Sequence, residues 1–186
     1  MGRGRILTAK KLKNSDTENI KMTISPEMLA LIRETHSKAN KWDGNSLISH
    51  LDRIQFFIDI NNAETILDYG CGKAKYHPAS WNITKYDPGI EEYSVKPSRT
   101  FDIVICTDVM EHVEPEYVDQ VLDEVFAYAD TLVYICIGLD QAEEVLSDGR
   151  NAHISLLPHK EWISKLNKAS KKHKVKYYIR WAVTNE

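Results

Sequence analysis

No apolar run in the sequence approaches the roughly 18 residues that a membrane-spanning helix needs, and Met1-Gly-Arg-Gly-Arg5 lacks the apolar stretch of a secretory leader. These absences predict a cytoplasmic protein with no membrane partner. Cysteine is scarce. Cys71, Cys106 and Cys136 are far apart, contain no C-x-x-C pair and are odd in number, which argues against a disulfide framework and for a reducing compartment. They read as small buried hydrophobes in preference to a metal cluster, and no metal ligand set is predicted. Internal repeats and low-complexity linkers are also absent.

What is present suits one domain with a real core: 186 residues, 42% of them hydrophobic. The net charge of -3 hides a polarity along the chain. Residues 87 to 148 hold 16 Asp and Glu against Lys96 and Arg99, whereas residues 149 to 186 hold nine Lys and Arg against two acids. The basic segment (Lys165, Lys168, Lys171, Lys172, Lys174, Lys176, Arg180) would attract phosphates, or else forms a solvated helix face and a lysine-guarded edge strand.

Residues 1–22 are polar, basic and aperiodic, and read as a flexible arm. Ser25-Pro26 supplies an N-cap and a first-turn proline for a short helix to about residue 38. Leu47, Leu51, Ile54 and Ile58 recur at helical spacing and predict a helix over 46–60. Thr65–Tyr69, Asn82–Tyr86, Phe101–Cys106 and Thr131–Ile137 read as strands. Pro115 opens a helix with the stripe Val118, Val121, Leu122, Val125, Phe126 and Ala129, and strand–helix–strand at that spacing implies a right-handed parallel crossover. A helix near 159–168 and a strand near 174–184 complete an α/β pattern with a mostly parallel sheet.

In such a sheet, ligands sit at the carboxyl ends of the strands where the strand order reverses. Gly70 and Gly72 allow a ligand to rest on bare main chain, and Asp87, ending the next strand, offers two carboxylate oxygens to a ribose diol. Together they describe an adenosine pocket. A dinucleotide would want G-x-G-x-x-G, but Lys75 stands at the third glycine and Asp87 follows Gly72 at an interval of only 15 residues, which disfavours NAD.

Leu67-Asp68-Tyr69-Gly70-Cys71-Gly72, with Ala74 where many members carry a third glycine, resembles the first motif of class I S-adenosylmethionine-dependent methyltransferases. Phe101-Asp-Ile-Val-Ile-Cys-Thr-Asp108-Val-Met-Glu111-His112-Val113 resembles a later strand and the "D-V-x-E-H" segment of that family. The likeness spans about residues 60–140 and is nearest to compact methyltransferase-domain proteins of bacteria and phages, in which Asn151-Ala-His153 and a tryptophan such as Trp162 recur.

The resemblance implies a Rossmann-like sheet with helices on both faces, S-adenosylmethionine as cofactor, and the host cytoplasm as location if a phage encodes the chain. Residues 23–60 would form N-terminal helices, 64–140 the cofactor-binding core, and 141–186 an acceptor-side loop, helix and edge strand. Asp68 and Gly70-Cys71-Gly72 would hold the methionine part, Asp87 the ribose, and Cys106, Thr107 and Asp108 the region of the sulfonium. Glu111 and His112 would face the acceptor, with His112 as the base and His153 as second candidate. Only 13 residues separate Asp87 from Phe101, so the sheet should be trimmed relative to the family.

Plainer readings stand beside these. The glycines also suit an ordinary tight turn, Asp68 a loop cap, and Asp108 and Glu111 the first turn of a helix. His112 and His153 equally suit structural hydrogen bonds, and Trp42 and Trp162 either cover the pocket or close the core edge. No Asn/Asp-Pro-Pro-Tyr/Phe follows the third strand and no Pro-Cys pair is present, which argues against base-flipping adenine and cytosine chemistry. A small-molecule acceptor with an O or N nucleophile is therefore expected. Open alternatives are a nucleic-acid acceptor held by the basic segment, a cofactor-cleaving enzyme, and a silent S-adenosylmethionine-binding subunit.

Overall fold

A computed structural model describes residues 23–182 of the chain. The expected arm over 1–22 lies outside the described residues. The element order is α1 (Pro26–Ser37), a 3-10 turn (Asn45–His50) running into α2 (Leu51–Asn61), β1 (Ile66–Tyr69), β2 (Ile83–Tyr86), β3 (Phe101–Thr107), α3 (Val118–Ala127), β4 (Ala129–Gly138), α4 (His159–His173) and β5 (Lys176–Ala182). Among the described residues no helix is long and apolar enough to cross a membrane.

The five strands form one sheet in the order β2-β1-β3-β4-β5, every pairing parallel. Leu67 pairs with both Thr84 and Val104, and Ile135 with Ile179. Asp102 fixes the start of β1 against β3: its Oδ2 accepts hydrogen bonds from the backbone N–H of Glu64 and Thr65 and from the Thr65 hydroxyl. Between β2 and β3 the one helical element is a 3-10 turn (Glu91–Tyr93).

Both faces of the sheet are covered, which is why its strands read as nearly continuous apolar runs. Leu67, Val104, Val133 and Ile135 pack with Val121, Leu122 and Val125 of α3 and with Trp162 and Leu166 of α4. Ile66, Ile103, Ile105 and Tyr134 pack on the other face with Leu47 and Ile54. Trp162 is thus a core residue, fully buried under α4. All three cysteines are buried and free. Burial pushes the Cys136 thiol up to about 12 and those of Cys71 and Cys106 higher still, so none is a ready nucleophile.

Three boundaries differ from the sequence reading. The 46–60 helix begins with a full 3-10 turn whose N-cap, Gly44, is left-handed and gives no side-chain cap. The helix expected from Pro115 starts at Val118, after a turn in which the Tyr117 N–H reaches the Glu114 carbonyl. The helix expected to stop near 168 runs to His173. Lys165 and Lys168 pair with Asp119, and Lys172 and His173 with Asp123, so the basic run staples α4 onto α3. Lysines in a last turn also suit the helix dipole.

Candidate functional site

From β1 the chain moves outward to β2 and then returns to place β3 on the other side of β1. The order therefore reverses between β1 and β3, and the loops leaving those two strands diverge. A cavity of about 630 Å³ opens there, within the range of small-molecule and cofactor sites. It is walled by the strand ends, by Met28 and Ile32 of α1, by Trp42, and by His153 in the long loop after β4.

Helix α1 reaches this position because Ser25 caps it, accepting the Met28 N–H at 3.0 Å, while the Ser25 N–H is held at 2.8 Å by the Glu114 carboxylate. Its buried stripe, Met28, Ile32, Thr35 and His36, ends in two polar residues. His36 Nε2 lies 3.4 Å from Asp87 Oδ1. The sequence reading missed His36 as a wall of the site, although a histidine on an otherwise apolar helical stripe was a readable signal.

Asp87 sits where expected, at the end of β2 and on the cavity wall, but it already holds the protein together. Its Oδ2 accepts the Gly72 N–H at 2.9 Å and its Oδ1 the Gly89 N–H at 2.8 Å. A carboxylate has about four acceptor positions, so capacity for a diol remains. The glycines work differently from expectation. A Cβ on Gly72 would meet the Trp42 carbonyl oxygen at 2.4 Å, and one on Gly70 would meet Val109 at 2.3 Å. Their bare main chain admits neighbouring loops, and their other edges line the cavity. Ala74 is left-handed (φ 53°), the conformation a glycine would take there.

Thr107, Asp108, Glu111, His112 and His153 all line the same cavity. Asp68, Cys71 and Cys106 do not. Asp68 turns toward the α2 side of the sheet, where its Oδ2 pairs with His77 Nε2 at 2.7 Å, and burial raises its pKa. Cys71 donates to the Gly72 carbonyl from a buried position, and Cys106 lies in the α3–α4 core. For Asp68 and Cys106 the reason is strand alternation: in β1 and β3 only the terminal residues reach the rim, and side chains before them point into one face or the other.

Glu111 is fully buried. Its Oε1 accepts the Gly138 N–H at 2.5 Å, while Oε2 has no hydrogen-bond partner. Burial, and then the nearby Asp108 carboxylate, raises its pKa to about 8. Gly138 has to be a glycine, because a Cβ there would sit 2.6 Å from Glu111 Oε1 and 2.9 Å from His153 Cε1. Asp108 itself is left-handed (φ 53°), a costly conformation retained beside the cavity, and burial raises its pKa too.

Both histidines are anchored through Nδ1. His112 Nδ1 donates to the Ala152 carbonyl at 2.9 Å and His153 Nδ1 to the Asp140 carbonyl at 2.5 Å, which in a neutral ring leaves Nε2 as the acceptor. Their rings meet edge to face with centroids 4.8 Å apart, and Trp42 packs on His112 at 5.1 Å. Asn151 shapes the loop that delivers His153: its Oδ1 accepts the N–H groups of Ala142 and His153, and its Nδ2 donates to the Ala142 carbonyl. Burial, then His153, lowers the His112 pKa to about 4. His112 is therefore neutral at pH 7, and of the two residues Glu111 is the one held nearer neutrality.

Among the described residues no group of three or more His, Cys, Asp or Glu is placed to hold a metal ion. Compared with protein-family models, curated proteins and solved structures, the chain has no match in any of the three. Its function is read from the site.

Proposed function

We propose that the chain is an S-adenosylmethionine-dependent methyltransferase that acts on an O or N nucleophile of a small molecule. The observation that carries this reading is that one cavity, at the reversal of strand order, is lined by Gly70 and Gly72, by Asp87, and by Asp108, Glu111 and His112. The glycines belong to one of the two segments that resemble the family and Asp108–His112 to the other, with Asp87 between them. The donor fits the residues present: free acceptor positions on Asp87 for a ribose, acidic side chains for a cationic ligand, and apolar walls from Met28, Ile32, Trp42 and Val109.

When bound, S-adenosylmethionine supplies a methyl group on a sulfonium, already activated for transfer. The chain then has to align the acceptor and exclude water. Trp42 and α1 close the cavity on one side. His112 Nε2, neutral and fixed by its Nδ1 bond, orients an acceptor N–H or O–H, and Glu111 takes a proton at a pKa suited to pH 7. Of the alternatives, a nucleic-acid acceptor loses support because Lys165, Lys168 and Lys172 are paired with α3. Calorimetry with S-adenosylmethionine and S-adenosylhomocysteine tests the reading: saturable binding of both is expected, and no heat from either at millimolar concentration overturns it.

A further inference from the structure

We propose that the Glu111 end of the cavity is a seat for a protonated amine, making the methyl acceptor a small primary or secondary amine. The chemistry of transfer rests on the methyltransferase reading; the binding of an amine does not.

Seven of the residues lining the cavity are Asp or Glu. Among the described residues that line it, Lys41 is the only lysine or arginine, and its ammonium is paired with Glu144. A ligand with net negative charge would therefore meet repulsion with no free lysine or arginine of the lining to offset it. The second observation is the Glu111 carboxyl, fully buried in the cavity wall with Oε2 unpartnered. An unpaired polar atom in that position is costly unless a ligand completes it.

An ammonium group carries several N–H donors and no acceptor. The site offers matching acceptors: Glu111 Oε2, and His112 Nε2, which the Nδ1 bond to the Ala152 carbonyl leaves with its lone pair in the neutral ring. Trp42, packed on His112, supplies an aromatic ring of the kind that favours a nearby cation. An alcohol could use one of these acceptors, whereas an ammonium can use both and also neutralise Asp108 and Glu111.

In the transfer step one N–H proton passes to the Glu111 carboxylate, freeing the nitrogen lone pair. That pair forms the N–C bond to the methyl carbon as the C–S bond breaks, and sulfur keeps the electrons of the broken bond. The products are a methylated ammonium and a neutral thioether, and Glu111 returns its proton to solvent. The titratable groups around Glu111 are Asp108 and Cys106 of the β3 segment, Cys136 of β4, His112 on its own turn and His153 from the following loop.

Three probes of similar shape test the seat by calorimetry near neutral pH: phenethylamine, 2-phenylethanol and 3-phenylpropionate. Phenethylamine should bind at least tenfold more tightly than the alcohol, and the carboxylate most weakly. Equal affinity for amine and alcohol, or preference for the carboxylate, overturns the proposal. Amine binding should also release protons, read by comparing heats in buffers of different ionisation enthalpy. Glu111→Gln should abolish that release and weaken the amine at least tenfold, and unchanged release refutes the role of Glu111. If that variant does not fold, Asp108→Asn should weaken the amine several-fold, and the ranking of probes on the unaltered protein decides without either variant.

Repeating the titration with S-adenosylhomocysteine present separates two sources of an ammonium. Amine binding that persists supports an acceptor seat. Competition assigns the seat to the amino group of the donor and overturns the acceptor proposal. If S-adenosylhomocysteine does not bind at all, the methyltransferase reading falls while the ranking of probes still decides whether an amine is held.

Discussion

The face of the sheet under α3 and α4 and the rim at its carboxyl ends are built on the same strands, yet they satisfy their groups in opposite ways. On the face, apolar side chains fill the interior and the charges of α3 and α4 pair at the surface, Lys165 with Asp119 and Lys172 with Asp123. At the rim, carboxyls are drawn inside: Asp87 and Glu111 are buried, and Asp108 sits in a left-handed conformation. Local rules are obeyed on the face and broken at the rim, the pattern expected of a site carried on a stable frame.

That contrast can be broken by substitution, and the largest effect is expected on the face. Trp162→Ala should lower unfolding free energy by about 3–5 kcal/mol, measured by urea titration, with cofactor affinity of the folded fraction unchanged. A loss of affinity would mean that Trp162 supports the rim as well. At the rim, Asp87→Ala should weaken S-adenosylmethionine about 100-fold, about 2.7 kcal/mol, read by calorimetry. It should also cost about 1–3 kcal/mol in stability, because the buried N–H groups of Gly72 and Gly89 lose their acceptor.

A pH dependence comes next. Glu111 has a folded pKa raised from 4.5 to about 8, so the folded state binds more protons than the unfolded state between those values and stability falls as pH rises through that window. Glu111→Gln has no such term. Its stability relative to the unaltered protein should therefore improve steadily from about pH 5 to pH 8 by denaturant titration, and a constant difference would place Glu111 outside the buried environment described. His112, lowered to about 4 by burial, gives the opposite slope between about 4 and 6.5 in both proteins and cancels from the comparison. The smallest effect belongs to the surface pairs: Asp119→Ala should cost less than about 1 kcal/mol and leave cofactor binding intact.

The strands and helices were legible because their side chains alternate or repeat at fixed periods, as in Phe101–Thr107 and in the Val118–Phe126 stripe. Boundaries at Asn45, Val118 and His173 were less so, since they depend on turns and on cross-helix pairs such as Lys172–Asp123. Part of the rim was also legible: Gly70, Gly72, Asp87, Thr107, Asp108, Glu111, His112 and His153 do line one cavity. Asp68 and Cys106 do not, because neighbours along a strand face opposite sides, and Cys71 does not, because it is buried in the loop after β1; a motif gives proximity along the chain without direction.

The sequence by itself determined an α/β chain with buried parallel strands, a glycine loop after the first strand and an acid after the second, because periodicity and backbone permissiveness are local properties. Only the tertiary structure decided that the glycines admit Trp42 and Val109, that α1 brings His36 to Asp87, and that Lys165, Lys168 and Lys172 pair with α3. It also set Glu111 nearer neutrality than His112, because a pKa depends on how deeply a group is buried and on which charges surround it, and residues distant in sequence supply both.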